Sequence, residues 1–193
     1  MPLDRPAIIL ASQSPRRSQL LREWGLPCQV VPPVDVPEEL TGAAPHVLAM
    51  NNARAKARAV AAGQANAVVI GADTIVVLGE VIFGKPDDRA DAARMLRQLV
   101  GRAHAVMTGV CVVHRALETE IVFHERTRVW MHPLDEAGIQ RYLTAIDPLD
   151  KAGAYAIQEQ GDLIVDRIEG SYSNVMGLPM ERLKGTLEKL GIV

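Results

Sequence analysis

Ala67-Val68-Val69-Ile70-Gly71-Ala72-Asp73-Thr74-Ile75-Val76-Val77-Leu78 is a β-branched and almost unbroken apolar run, cut once by its Gly71-Ala72-Asp73-Thr74 centre. Its composition is that of a buried strand, and the Gly79-Glu80 pair after it reads as a hairpin turn. Upstream, Pro45 opens a helix rich in alanine (Ala49, Ala53, Ala57, Ala61), with Met50 and Val60 completing an apolar face before Gly63. Further upstream, Ile8 to Ala11 forms a short strand. Ser14 is placed as N-cap and Pro15 as N1 of a helix whose stripe is Leu20, Leu21 and Trp24 and whose stop is Gly25. A strand from Cys28 to Val31 and a Pro-rich acidic loop, Pro32 to Thr41, complete this half.

Downstream, Asp88 to Val100 reads as a helix closed by Gly101. Ala105 to Val113 and Ile121 to Met131 alternate as an antiparallel ribbon joined around Arg115 to Thr119. Leu134 to Thr144 is a helix, Leu163 to Ile168 a strand, and Pro179 to Leu190 a closing helix stopped by Gly191. Interleaved helices and strands indicate an α/β chain, and the hairpins make its central sheet mixed. There is no internal repeat, low-complexity tract or linker.

At 193 residues the chain accommodates one sizeable core, or at most two small lobes around a cleft, so one domain spanning residues 1–193 is expected. An apolar fraction of 48% with 23% charged residues is that of an ordinary soluble globular protein, and no run is long enough for a membrane span. Pro2, Asp4 and Arg5 break up any N-terminal apolar region, so no signal peptide is expected and the cytoplasm follows as the location. Cys28 and Cys111 both lie in apolar strand-like contexts and are expected to be buried reduced thiols. A net charge of −2 argues against binding a nucleic-acid polymer through a whole-surface field, but it is compatible with a small anion held in a local cationic pocket.

Such a pocket is suggested where Ser14-Pro15-Arg16-Arg17 begins the first helix. Cations in a first turn face free N–H groups and the positive end of the helix dipole, at a cost of roughly 0.3–1 kcal/mol each, which a bound anion relieves. Ser12 and Ser14 hydroxyls, backbone N–H groups and two guanidinium forks converge there, a set suited to a phosphate chain; the alternative is that both arginines are merely solvated. Asp73 is the one charged side chain between Val68 and Leu78, and a carboxylate in such a run must be paired, hydrogen-bonded or metal-bound. An Asx turn helped by Gly71 competes with a role as general base or cation ligand at a strand end. Lys85, in Gly84-Lys85-Pro86, is a point charge on a fixed backbone that can be aimed at phosphate. Lys56, at the edge of the alanine-rich face, reads on its own as a snorkelling stem. Glu38 and Asp35 of the acidic loop are either cation ligands or solvated. The segments around Asp150 to Gln158 and Gly170 to Pro179 are more polar and glycine-bearing than connections require. The five histidines lack metal-ligand spacing, and neither a Ser/His/Asp set, a Walker loop nor a dinucleotide fingerprint is present.

Leu10-Ala11-Ser12-Gln13-Ser14-Pro15-Arg16-Arg17, Gly71-Ala72-Asp73-Thr74, Gly84-Lys85-Pro86, Asp150-Lys151-Ala152-Gly153-Ala154-Tyr155 and Gly170-Ser171-Tyr172 through Gly177-Leu178-Pro179 together resemble the Maf family, in order and spacing, over nearly the whole chain. The resemblance implies a fold related to the inosine triphosphate pyrophosphatases: an elongated, twisted mixed sheet flanked by helices, with two lobes around a nucleotide cleft. It implies hydrolysis of a nucleoside triphosphate to the monophosphate and pyrophosphate with a divalent metal, Mg2+ or Mn2+. By motif, Asp73 corresponds to the proton acceptor, and Arg16, Thr74 and Gln158 to positions linked with substrate choice. Ser12, Arg17, Lys56 and Lys85 match other polar cleft positions, Lys151 joins the substrate-binding set, and Glu38 with Asp73 is the metal pair, Asp35 competing with Glu38 for its place.

The Asp150 to Tyr155 motif has the form of the dTTP/UTP branch. Other readings are the same reaction on 7-methyl-GTP or a modified nucleotide, and a non-catalytic nucleotide-binding regulator of septum formation. Ala156 and Glu159 stand where that branch usually has glycine, so any positive φ there would be strained. The Gln158 amide matches a uracil edge in one orientation and a cytosine edge when flipped. A homodimer is the base expectation for such an enzyme.

Overall fold

The computed structural model describes residues 6–193; Pro2, Asp4 and Arg5, on which the reading of the N-terminus rests, lie outside the described residues. Strand β1 (Ile8–Ala11) lies between β2 (Gln29–Val30) and β3 (Val68–Leu78), parallel to both. Strand β4 (Val81–Phe83) folds back on the end of β3 through Gly79, whose φ of 60° the turn requires. The long ribbon of β5 (Ala103–His114) and β6 (Thr119–Met131) continues the sheet antiparallel from β3, and β7 (Val165–Glu169) forms its far edge. The order β2-β1-β3-β5-β6-β7, with β4 on β3, makes seven strands in a mixed sheet among the described residues. The expected second strand is shorter than its sequence run: only Gln29 and Val30 pair, both exposed at the edge.

Helices cover both faces. Helix α2 (Pro45–Ala61) lies across one face, its alanines against Ile9, Val69, Cys111 and Val113. The other face carries two separate apolar clusters. Helices α1 (Pro15–Glu23) and α6 (Met180–Lys189) pack over Val68, Ile70, Ala72, Val110 and Val112. Helices α3 (Arg89–Leu99) and α4 (Glu136–Ala145) pack over Val76, Val106 and Val129. Between them, Thr74, Thr108 and Thr127 form a polar belt across that face, joined by Asn174 from the four-residue helix α5 (Tyr172–Val175).

The Gly71 to Thr74 interruption is not a break in the strand. Gly71 to Thr74 pair with Cys111 to Thr108 in unbroken antiparallel register, which removes the Asx-turn reading of Asp73. The glycine answers to packing: a Cβ on Gly71 would overlap the Ala53 carbonyl and the Ala57 backbone, and one on Gly109 would overlap the Ala49 carbonyl. Two glycines thus let α2 settle onto the sheet at the level of Asp73. Both cysteines are free, but Cys28 is only half-buried, and burial pushes the Cys111 thiol up to about 12. No helix among the described residues is long and apolar enough to cross a membrane.

Candidate active site

Strand alternation directs Asp73 toward α2 and Thr74 toward the opposite face. On α2, Asn52 and Lys56 are one turn apart and both reach down to Asp73. Lys56 Nζ lies 2.6 Å from Asp73 Oδ1, and Asn52 Nδ2 donates to Oδ2 at 2.9 Å. The same ammonium lies 2.6 Å from Glu38 Oε1. Lys56 therefore does not snorkel: it is buried, and its head group bridges two carboxylates. Burial raises the Glu38 carboxyl, but Lys56, Lys85 and Arg17 outweigh it and hold the group below the usual carboxylate value. Asp35 is exposed, has a φ of 53° and does not line the cleft, whereas Glu38 does.

On the other face, the two arginines of α1 separate in role. The buried Arg17 donates Nε to the Gly177 carbonyl at 2.8 Å, Nη1 to Ser12 Oγ at 3.1 Å and Nη2 to Thr74 Oγ1 at 3.0 Å. It fastens β1, β3 and the turn after α5 together rather than standing as a free phosphate cation. Arg16 is held by Asp150, with Nη1 2.6 Å from Oδ2 and Nη2 donating to the carbonyl at 3.0 Å. Ser14 makes no side-chain cap bond; its N–H donates instead to Ser12 Oγ at 3.1 Å. Lys85 is the most exposed of the cleft lysines, its Nζ 3.9 Å from Glu38 Oε1.

The third wall is the segment after α4. Lys151 is buried and its ammonium reaches the Asp147 carbonyl and Asp150 Oδ1, each at 2.7 Å, and Glu159 Oε2 at 3.3 Å. Tyr142 of α4 clamps Ala156, its hydroxyl accepting from Ala156 N at 3.0 Å and donating to Ala156 O at 3.2 Å. Ala156 and Glu159 do not have positive φ; the left-handed residues are Gly153 (φ 70°), Ala154 (φ 63°) and Gln160 (φ 54°). The two departures from glycine therefore cost no backbone strain.

These walls enclose a cavity of about 380 Å3 lined by Ser12, Ser14, Arg16, Arg17, Glu38, Lys56, Asp73, Thr74, Lys85, Lys151 and Gln158, so the expected site residues come together in one cleft. That volume suits a small molecule. Sequence reasoning missed Asn52, and it gave Asp150 a place in a motif but no role of its own. Asn52 carried a signal, since it and Lys56 are polar residues at i, i+4 on an otherwise apolar, alanine-rich face. Among the described residues no three His, Cys, Asp or Glu side chains gather into a metal site by themselves. Two carboxylates, Glu38 and Asp73, face each other across Lys56, and Glu38 uses the same oxygen, Oε1, for both lysines. This donor set suits Mg2+, which binds through one or two carboxylates and takes its other ligands from water and phosphate.

A mixed sheet with its cleft at the Asp73–Thr74 level and cations on three walls defines an α/β protein built to receive a polyanion. The fold is that of the Ham1 proteins: the Staphylococcus aureus Ham1 structure matches with a TM-score of 0.56 at 16% identity, covering 95% of this chain and 98% of that one. A Coxiella burnetii HAM1 protein matches at 0.51 and 15%, covering 95% and 99%. The chain itself belongs to the Maf family, whose Maf-like protein profile matches residues 7–190. Relatives named dTTP/UTP pyrophosphatase include those of Dictyoglomus thermophilum, 45% identical over 95% of this chain and 96% of that protein, and Moorella thermoacetica, 46% identical over 96% and 95%. The Bacillus anthracis protein of that name is 43% identical over 96% of each.

Proposed function

We propose that this chain hydrolyses dTTP and UTP, each with one water, to the nucleoside monophosphate and pyrophosphate, by in-line attack of water on a phosphoryl group. The observation that carries the reading is the Glu38–Lys56–Asp73 arrangement opposite the N-terminus of α1 in one cleft. The names of relatives at 43–46% identity support the substrates. Phosphoryl transfer depends on positioning and charge stabilisation, for which this donor set suffices without a protein nucleophile. Asp73, fixed by Lys56 and Asn52, orients the attacking water and takes its proton. Lys85, Arg16 and the free N–H groups of α1 neutralise the triphosphate, while Arg17 holds the framework on which they sit. Glu38 and Asp73 are the residues that would hold Mg2+ or Mn2+, which supplies charge neutralisation at the phosphates when bound. The enzyme is read as cytoplasmic and as a homodimer, the latter tested by light scattering.

The test is pyrophosphate release over a panel of canonical and modified nucleoside triphosphates with Mg2+ and with Mn2+. The expected result is fast turnover of dTTP and UTP, slower turnover of CTP and poor turnover of 7-methyl-GTP. Tight nucleotide binding with no pyrophosphate from any member would replace the enzyme by a nucleotide-binding regulator.

A further inference from the structure

We infer that Glu159 fixes the orientation of the Gln158 amide and thereby strengthens, in this chain, the preference of the cleft for a uracil or thymine ring over cytosine; this rests on the pyrimidine triphosphate reading above. Gln158 lines the cleft, and its Nε2 donates to Glu159 Oε1 at 3.3 Å. The other Glu159 oxygen, Oε2, is 3.3 Å from the buried Lys151 ammonium, which is itself held by the Asp147 carbonyl and by Asp150. The carboxylate is thus anchored from behind and presents one acceptor to the amide.

An ionised carboxylate only accepts, so the amide must turn its nitrogen to Glu159 and its oxygen the other way. That oxygen, Gln158 Oε1, is buried and has no hydrogen-bond partner among the described residues. A buried acceptor without a donor is costly, and a ligand that supplies the donor recovers the loss. Uracil and thymine carry N3–H, a donor. Cytosine has a lone pair at N3, which would oppose Oε1. Flipping the amide to suit cytosine would break the bond to Glu159 and set the amide oxygen against a carboxylate. Glu159 is therefore a positioning residue acting through Gln158. The backbone of the loop does not depend on it, because Tyr142 clamps Ala156 independently.

The test measures kcat/KM for UTP and CTP in the wild type, Glu159→Gln, Gln158→Ala and the double variant, with calorimetric binding of α,β-imido UTP and CTP to each. The glutamine at 159 keeps the shape but both donates and accepts, so it releases the amide to flip. The expected result is a UTP-to-CTP ratio about tenfold or more lower in Glu159→Gln, with CTP improving in absolute terms. In the Gln158→Ala background the same change moves the ratio by less than about twofold. A loop merely loosened would lower both substrates together. An unchanged ratio in Glu159→Gln overturns the inference, as does an equal shift in the Gln158→Ala background or a wild type that binds both analogues alike. Selective binding of the UTP analogue without pyrophosphate release would remove the pyrophosphatase reading; the inference then stands if Glu159→Gln abolishes the selectivity and falls if it does not.

Discussion

Asp73 is held from two sides, and that decides what its replacement does. Asp73→Asn keeps the shape and a partner for Asn52 but removes the negative charge facing Lys56 and the basic oxygen. Loss of a general base lowers turnover by about 10²–10⁴-fold. Triphosphate binding is expected to persist, since one negative charge beside a polyanion has gone. Calorimetry with the α,β-imido analogue checks the binding half, and turnover within a few-fold of wild type would remove Asp73 from the chemistry. The arginines of α1 behave as an unlike pair. From sequence, removing either relieves repulsion at a helix N-terminus; Arg16, however, is paired with the Asp150 side chain and carbonyl, so in Arg16→Ala the lost ion pair offsets that relief, and the apo melting temperature is expected to stay near that of wild type while triphosphate binding weakens. Arg17 instead satisfies Gly177, Ser12 and Thr74 inside the protein. Arg17→Ala is expected to destabilise the apo protein by about 2 kcal/mol or more, because it strips charged hydrogen bonds from buried groups. Urea melts of the two variants distinguish these roles, and equal stability of the pair would contradict the assignment.

Element boundaries were the most legible part of the chain, because they rest on local chemistry. Asp88 caps α3 by accepting from Asp91 N, and Gly25, Gly101 and Gly191 end helices with positive φ; α4 starts two residues later than the expected Leu134, because Asp135 caps it by accepting from Gly138 N. What local chemistry could not give was the partner of a residue. Gly71 reads as a turn signal beside Asp73, whereas its cause is the stretch of α2 from Ala53 to Ala57, well upstream in sequence, that must lie against it. Lys56 reads as surface for the same reason, since nothing near it in sequence supplies the two carboxylates. Helix α5 was missed because four residues carry no periodicity, although Ser171 caps it by accepting from Asn174 N. The close approach at Gly71 has a direct test. Gly71→Ala puts a methyl into the backbone of α2, so the helix must rise. The cost expected is about 1–3 kcal/mol. Because Asn52 and Lys56 ride on that helix, turnover should fall with stability. Wild-type stability in this variant would mean that α2 has room to spare above β3.

Across the molecule, the cleft opens where the edge of β3 is left without a strand partner among the described residues, between β1, which pairs as far as Gly71, and β4, which pairs from Val76, so that Asp73 and Thr74 reach it from opposite faces; the loop after α4 closes over it from the far cluster. That loop is tied to the sheet by Tyr155, whose hydroxyl lies 2.8 Å from His104 Nε2 on β5, while His104 Nδ1 is buried and has no hydrogen-bond partner among the described residues. Burial pushes the His104 imidazole down to about 4 from 6.5. The unfolded chain therefore takes up a proton below about pH 6.5 that the folded protein refuses until about pH 4, so stability is lost as pH falls through this window. Integrated from pH 7.5 to pH 5, the loss is about 1.5–2 kcal/mol. His124 acts with the same sign, displaced downward by burial, His46 and Arg182. The carboxylates held low, Glu38 and Asp150 among them, contribute stability that is present above their unfolded values and lost only at more acid pH. His104→Gln keeps a hydrogen-bonding side chain near the Tyr155 hydroxyl but does not titrate. Urea melts at pH 7.5 and pH 5 should show the wild type weakening over this interval and His104→Gln weakening much less. A wild type equally stable at both values, or a variant with the full slope, would mean that the His104–Tyr155 contact accommodates the imidazolium.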